Sequence, residues 1–192
     1  MSTAEPGEVL IEAEAIRQRI TELGAAISAD YVELERPLLL VGILRGSLVF
    51  LADLCRHISV DVEVDFMSIS SYGAGVDSSS AVRILKDLDE DIAARHVLIV
   101  EDIVDTGLTI GCLLDTLQAR RPVNLRVCTL LDKPARRRRP VELAYTGFTI
   151  EDRFVVGYGM DFAQRFRNLP HVAVLAQDGG STALPAGRLS CR

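Results

Sequence analysis

Three carboxylates, two hydroxyls and a glycine lie close together in this chain, as Glu101, Asp102, Asp105, Thr106, Gly107 and Thr109. Four apolar residues, Val97 to Val100, precede them and read as a strand buried on both faces, with Glu101 and Asp102 where that strand should emerge. An amphipathic helix is expected from about Thr109 to Arg120. A strand, a turn of small residues and a helix N-terminus form a phosphate cradle, because unpaired backbone N–H groups and the helix dipole favour an anion there. A bare phosphate would be repelled by three neighbouring acids. Their presence asks for a ligand with more than phosphate, whose hydroxyl groups or metal ion need acceptors.

Three further constellations could join in that chemistry. Leu44-Arg45-Gly46-Ser47 is a second strand-turn-helix junction, where a glycine lets backbone amides approach an anion. Ser71-Tyr72-Gly73 opens a polar stretch that runs to Ser80 and reads either as a surface loop or as a lid that excludes water. The last is Lys133, then Phe154-Val155 and the run to Asp161, then Phe166-Arg167. An aromatic ring at Phe154 can stack on a flat heterocycle, and the backbone of Val155 can read its edge. Lys133 can donate to an exocyclic carbonyl oxygen. Adenine would set a donor amine against that ammonium, and a site built around one hydrogen-bond pattern strongly rejects the mismatched analogue.

In this order the motifs resemble those of the purine phosphoribosyltransferases, and most closely the hypoxanthine-guanine branch, over about residues 9 to 175. The resemblance implies transfer of a 5-phosphoribosyl group from 5-phosphoribosyl 1-pyrophosphate to a purine nitrogen, with release of pyrophosphate. Glu101 and Asp102 would take the ribose hydroxyls, and the turn Asp105, Thr106, Gly107, Leu108, Thr109 the 5-phosphate. Arg45, Gly46 and Arg167 would meet pyrophosphate, and Ser71 and Tyr72 would start the lid. Lys133, Phe154 and Val155 would hold a 6-oxopurine such as hypoxanthine or guanine. Mg²⁺ is the implied cofactor, with Asp161, Glu101 and Asp102 as its protein contacts. Asp105 would handle the purine N7 proton, as a base or as a charge that stabilises the transition state. Relatives commonly carry Lys where Arg45 stands, and Lys, Arg or a polar residue where Leu108 stands. They are usually dimers or tetramers, so a homo-oligomer is expected.

The elements that must position these groups alternate. Ile16, Ile20, Leu23 and Ile27 mark one face of a helix over 9–29. Leu38 to Leu44 read as an apolar strand, and Leu48 to His57 as a helix with Leu48, Leu51, Ala52 and Cys55 inward. Val60 to Phe66 alternate with period two, as in a half-solvated strand. Val82 to Leu85, Asn124 to Leu131 and Val172 to Leu175 read as further strands. The expected architecture is α/β: a mostly parallel twisted sheet flanked by helices, the fold of type I phosphoribosyltransferases, with ligands at the strands' carboxyl ends. A single domain over 1–176 is expected, with its core over about 30–135. A small hood would come from about 136–170 and the N-terminal segment, and 177–192 would be a weakly ordered tail.

Composition narrows the class. With 192 residues, 48% of them apolar, and a net charge of −6, the chain suits a globular enzyme and lacks the basic footprint of a general nucleic-acid binder. No apolar run is long enough to span a membrane, and no secretory signal opens the chain. Cys55, Cys112, Cys128 and Cys191 are scattered, which favours reduced thiols in a cytoplasmic protein over a zinc site. His57, His96 and His171 have no metal-ligand spacing. Arg136 to Arg139 read as a solvated loop; their other reading is a nucleic-acid contact in a regulator that uses the sugar-phosphate pocket as a sensor. A xanthine-preferring transferase is the nearer alternative.

Overall fold

Along the central strands, successive residues enter two different cores. In the strand Leu38–Leu44, Leu38 and Leu40 join one hydrophobic cluster while Leu39, Val41 and Ile43 join the other. Leu98 and Val100 likewise oppose Val97 and Ile99 in the strand His96–Val104, and Cys128 and Leu130 oppose Val127 in the strand Asn124–Asp132. A strand buried on both faces shows no polar alternation, and its apolar run reports a parallel sheet covered by helices on each side.

The computed structural model describes residues 5–71 and 82–176. Its strands are β1 (Glu5–Ile11), β2 (Leu38–Leu44), β3 (Val62–Ser71), β4 (Val82–Lys86), β5 (His96–Val104), β6 (Asn124–Asp132), β7 (Tyr145–Thr149), β8 (Val155–Val156) and β9 (Val172–Ala176). The helices are α1 (Ala13–Asp30), α2 (Leu48–Cys55) and α3 (Leu108–Gln118). Six strands form the main sheet in the order β4-β3-β2-β5-β6-β7, parallel throughout except for the antiparallel edge pair β3-β4. Residues of α1 and α2 pack into one core, and Ile110, Leu113 and Leu117 of α3 fill the other. Strand order reverses between β2 and β5, so the loops after these two strands open into one crevice at the sheet's carboxyl edge. A second, antiparallel sheet, β1-β9-β8, forms a small lobe beside that edge.

Several boundaries differ from the sequence expectation. Val9 to Ile11 belong to β1 rather than to the first helix, because they pair with Val172 and Ala173 of β9, a partner that local periodicity cannot reveal. The inward face of α2 is Phe50, Leu51 and Leu54, whereas Leu48 is 50% exposed and Ala52 is also exposed. That helix is short and almost wholly apolar, so its sequence offers no stripe from which to read a face. The main sheet continues past residue 135: Tyr145–Thr149, expected in the hood, pairs with β6 as its outer neighbour. The small sheet takes β1 and β8 from the segments expected in the hood and adds β9, which lies beyond them. β3 extends through Ser71, placing that lid residue at a strand end; Tyr72 and the rest of the expected lid lie outside the described residues, as does the tail from 177.

A close helix contact fixes α1 against the connection that follows α2. The Ser28 hydroxyl donates to the Gly24 carbonyl at 2.7 Å and accepts from the Ser59 amide at 2.9 Å. At Gly24, a Cβ would lie 2.5 Å from the His57 carbonyl oxygen and 2.6 Å from His57 Cβ. Alanine would gain about 1 kcal/mol of helix propensity, but overpacking against backbone costs about 1–3 kcal/mol, and the contact is with backbone. Gly24→Ala should therefore lower the thermal midpoint by a few degrees. A midpoint equal to or above the parent's would show that the helices can part without cost.

Candidate active site

The acids expected at a strand exit lie within β5 itself, which continues to Val104 through pairing with β6, Glu101 opposite Thr129 and Val104 opposite Asp132. This extra length holds the carboxylates on rigid backbone. Glu101 is half-buried, yet its Oε2 is enclosed with no hydrogen-bond partner. Burial, and then the neighbouring charge of Asp102, push its carboxyl well above the ordinary range. Asp102 is pushed up to about 6, chiefly by burial; the amides of Ile103 and Asp102 and the charge of Arg167 oppose the rise, while Asp161 adds to it. Asp105 lies in the turn beyond the strand, its Oδ1 buried without a partner and its Oδ2 3.4 Å from Arg136 Nη1. Carboxylate oxygens left unpaired in a crevice are acceptors waiting for a ligand's donors.

The turn closes on the arginine run. Gly107 adopts φ +77°, in the left-handed region that glycine favours, and immediately precedes α3. Its own amide neighbours are held from behind: the amides of Arg138 and Arg139 donate to the Thr106 carbonyl at 2.8 and 3.1 Å. A Cβ on Gly107 would meet the Arg139 carbonyl oxygen at 2.3 Å. The Arg137 guanidinium pairs with Asp132, and Arg139 pairs with Asp115 at 2.7 Å. The solvated loop expected here is thus a strap across the back of the turn. Three of its four side chains pair with carboxylates of this chain. Leu108 is the first helical residue and half-buried, and its amide donates to the Thr106 hydroxyl at 3.4 Å.

The second junction meets the first directly. A Cβ on Gly46 would lie 1.7 Å from Asp102 Oδ2, so no larger residue fits beside that carboxylate. Gly159 packs onto Gly46 in turn, a Cβ there falling 2.2 Å from the Gly46 carbonyl oxygen, and its φ of +96° requires glycine as well. Arg167 donates to the Gly159 carbonyl at 2.7 Å and pairs with Asp161 at 2.6 Å. Arg45, preceded by a cis peptide bond, donates to Gln164 at 3.1 Å. Arg45, Gly46, Asp102, Asp161 and Arg167, separated by as much as 122 residues in sequence, therefore share one corner of the crevice.

Across the turn lies a second group. Lys133 is 5% exposed, and its Nζ pairs with Asp152 at 2.9 Å and donates to the Arg153 carbonyl at 3.1 Å. An ammonium carries three hydrogens, so one remains for a ligand acceptor. Beside it, Phe154 is 43% exposed and stands edge-on to Phe162, with ring centroids 5.8 Å apart. An aromatic ring this exposed beside a crevice can serve as a stacking platform. Val155 is buried in β8. Arg136 approaches Asp152 at 3.9 Å as well as Asp105, so an ionic chain runs from the turn to the lysine. Asp152 and Gln164 lie in aperiodic loops and left no signal in the sequence; Arg136 is solvent-exposed, as expected of that loop, and also faces Asp105 and Asp152.

The donor set suits a hard cation. It is all oxygen, and Glu101 Oε2 lacks a partner. Among the described residues no three His, Cys, Asp or Glu side chains gather into a metal cage. A Mg²⁺ would therefore be shared with ligand oxygens, which is that ion's usual habit.

The raised carboxyls predict a pH-dependent cost. A folded-state value above the unfolded one, roughly 4 for an acid, means that the contribution to stability is present at low pH and lost as pH rises through the folded value. In metal-free buffer, Glu101→Gln should unfold at a higher temperature than the parent at pH 8, with little difference at pH 4. A gain that is the same at both pH values, or a loss at pH 8, would contradict the buried charge.

Comparison with known proteins agrees with this geometry. Residues 11–163 match the phosphoribosyl transferase domain family. The hypoxanthine phosphoribosyltransferase of Salmonella typhimurium is 53% identical over 165 residues, which cover 86% of this chain and 93% of that protein. The hypoxanthine-guanine phosphoribosyltransferase of Mycobacterium tuberculosis is 50% identical over 177 residues, covering 88% of each. Among solved structures, the hypoxanthine-guanine phosphoribosyltransferase of Bacillus anthracis superposes with a TM-score of 0.85 at 42% identity, over 90% of this chain and all of the other. The fold, the crevice and these similarities together place the chain in the phosphoribosyltransferase family, in its hypoxanthine and hypoxanthine-guanine branch.

Proposed function

We propose that this enzyme converts hypoxanthine, and guanine with it, to the nucleoside monophosphate, using 5-phosphoribosyl 1-pyrophosphate and releasing pyrophosphate. The observation that carries the reading is the buried Lys133 ammonium, held by two acceptors with one hydrogen to spare, beside the open ring of Phe154. That pair suits a flat ring bearing a carbonyl oxygen. The cradle of the turn suits the 5-phosphate, and the carboxylates Glu101 and Asp102 suit the ribose hydroxyls between them. Arg45, Gly46 and Arg167 suit the leaving pyrophosphate.

In this reading the chain's own residues act mainly by orientation and charge. Glu101 and Asp102 accept hydrogen bonds from the 2- and 3-hydroxyls and fix the sugar, while Phe154 and Lys133 fix the purine plane. As N9 attacks and the C1–pyrophosphate bond opens, positive charge grows on the ribose and on the purine. Asp105, whose buried Oδ1 has no partner, accepts or stabilises the N7 proton. Glu101, Asp102 and Asp161 would be the protein's oxygen contacts to Mg²⁺, which would supply charge neutralisation for the pyrophosphate leaving group. Closure by the segment that begins at Ser71 and Tyr72 would keep water from the electrophilic carbon.

Two further features belong to the same proposal. Cys55 and Cys128 form no disulfide among the described residues, which suits the reducing cytoplasm. A homo-oligomer, dimer or tetramer, is supported by likeness to the Trypanosoma cruzi hypoxanthine phosphoribosyltransferase, whose C-terminal region bears on oligomeric state and activity.

Purified enzyme given the pyrophosphate donor, Mg²⁺ and one base at a time should turn over hypoxanthine or guanine, lose that activity with chelator and leave adenine untouched. Comparable turnover of adenine would overturn the role of Lys133. Asp105→Asn should lower kcat about a hundredfold or more with donor affinity little changed; near-normal turnover would remove Asp105 from the chemistry. Phe154→Ala should raise the purine KM about tenfold, and an effect confined to the donor would contradict stacking.

A further inference from the structure

The loop between Asp161 and Arg167 is held in an uncommon shape. Ala163, Gln164 and Phe166 have φ values of 50°, 66° and 77°, a region that side-chain-bearing residues seldom adopt. Paired backbone bonds between Phe162 and Arg165, at 3.1 and 3.0 Å, close the loop, and the Gln164 amide donates to Asp161 Oδ2 at 2.8 Å. This backbone delivers one side chain to the pyrophosphate corner. Gln164 Oε1 accepts from Arg45 Nη1 at 3.1 Å and, by a longer bond, from Arg167 Nη2 at 3.5 Å. Arg167 has other anchors, in Gly159 and Asp161. Among the described residues, Gln164 is the hydrogen-bond partner that the Arg45 side chain meets.

From this geometry we infer that Gln164 is a positioning residue for the pyrophosphate end of the donor: its amide oxygen holds the two arginines in register before the anion arrives. The inference rests on the reading of Arg45 and Arg167 as pyrophosphate contacts. Two guanidinium groups gathered without an anion repel each other, and a free arginine samples many rotamers that binding must then freeze out. A shared acceptor orients the forks in advance, which lowers the cost of binding. The acceptor must also be neutral. Arg167 already pairs with Asp161; a second carboxylate at this place would pair with Arg45 as well and compete with the incoming polyanion, whereas an amide orients Arg45 without neutralising it. Gln164 is exposed, so its side chain can change without disturbing the core.

The test measures KM for the 5-phosphoribosyl pyrophosphate donor in the forward direction, for pyrophosphate in the reverse, and for hypoxanthine, in parent, Gln164→Ala and Gln164→Glu enzymes with matched thermal midpoints. Gln164→Ala should raise the donor and pyrophosphate KM values about threefold to tenfold and leave that of hypoxanthine within about twofold. Gln164→Glu, nearly the same shape, should raise the first two further. Unchanged KM values for donor and pyrophosphate in the alanine variant, an equal rise for hypoxanthine, or a glutamate variant that binds pyrophosphate as well as the parent would each overturn the inference. Arg45→Ala and Arg167→Ala separate the two levels. If they weaken pyrophosphate binding and Gln164→Ala does not, the positioning role alone falls; if neither weakens it, the pyrophosphate reading of this corner falls as well.

Discussion

The contact between Asp102 and Gly46 is the constraint on which the crevice depends. Two strands that are neighbours in the sheet, β2 and β5, deliver their loops to the same edge, and the carboxylate from one fills the space where the other has no Cβ. Gly159 then stacks on Gly46 and brings Asp161 and Arg167 with it. A methyl group at either glycine would displace a carboxylate or a backbone carbonyl, neither of which can move aside as a flexible side chain could. Parallel strand order supplies the meeting point, and the absence of two side chains permits it.

The site that results is costly to fold. Glu101 and Asp102 sit in β5 with little compensation, and both carboxyls are pushed upward by burial. Replacing them with amides of the same shape would relieve that burden and exchange one acceptor oxygen of each for a donor. Stability is supplied from elsewhere: the two cores on either face of the main sheet, and ion pairs remote from the crevice such as the buried Arg95 with Glu63 at 2.8 Å. Rigid strands carry the unpaired acids, which keeps the ligand groups in place without the enzyme having to reorganise when the ligand binds.

Much of this arrangement could be read in the sequence, and the exceptions share a cause. The apolar runs of β2, β5 and β6 are dense enough that burial on both faces follows from composition, and the acids and glycine after Val100 point to a sugar phosphate. The residues that failed to show themselves depend on distant partners. β1 exists because β9 lies beside it, β7 because β6 offers an edge, and neither pairing leaves a local period. Asp152 and Gln164 act through single contacts across the crevice from loops without periodicity. The inward face of α2 was illegible because nearly all of its residues are apolar, and a helix without a polar face carries no directional signal.

The arginine run shows how charge is allotted in an acidic protein that must bind anions. A net charge of −6 spread evenly would repel a polyphosphate. The strap 136–139 instead meets local acids one by one: Arg136 faces Asp105 and Asp152, Arg137 faces Asp132, and Arg139 faces Asp115. Each of these pairs cancels a charge near the turn and, being at least partly solvated, adds little to stability alone. Their joint effect is positional. The strap's amides grip Thr106, its carbonyl at Arg139 excludes any side chain from Gly107, and Arg136 links Asp105 to the carboxylate that holds Lys133. Backbone amides freed in this way can meet a phosphate without help from a cationic side chain, which is why a leucine at position 108 is compatible with the cradle. Arg45 and Arg167, by contrast, meet at the neutral amide of Gln164, in the corner that also holds Asp102 and Asp161.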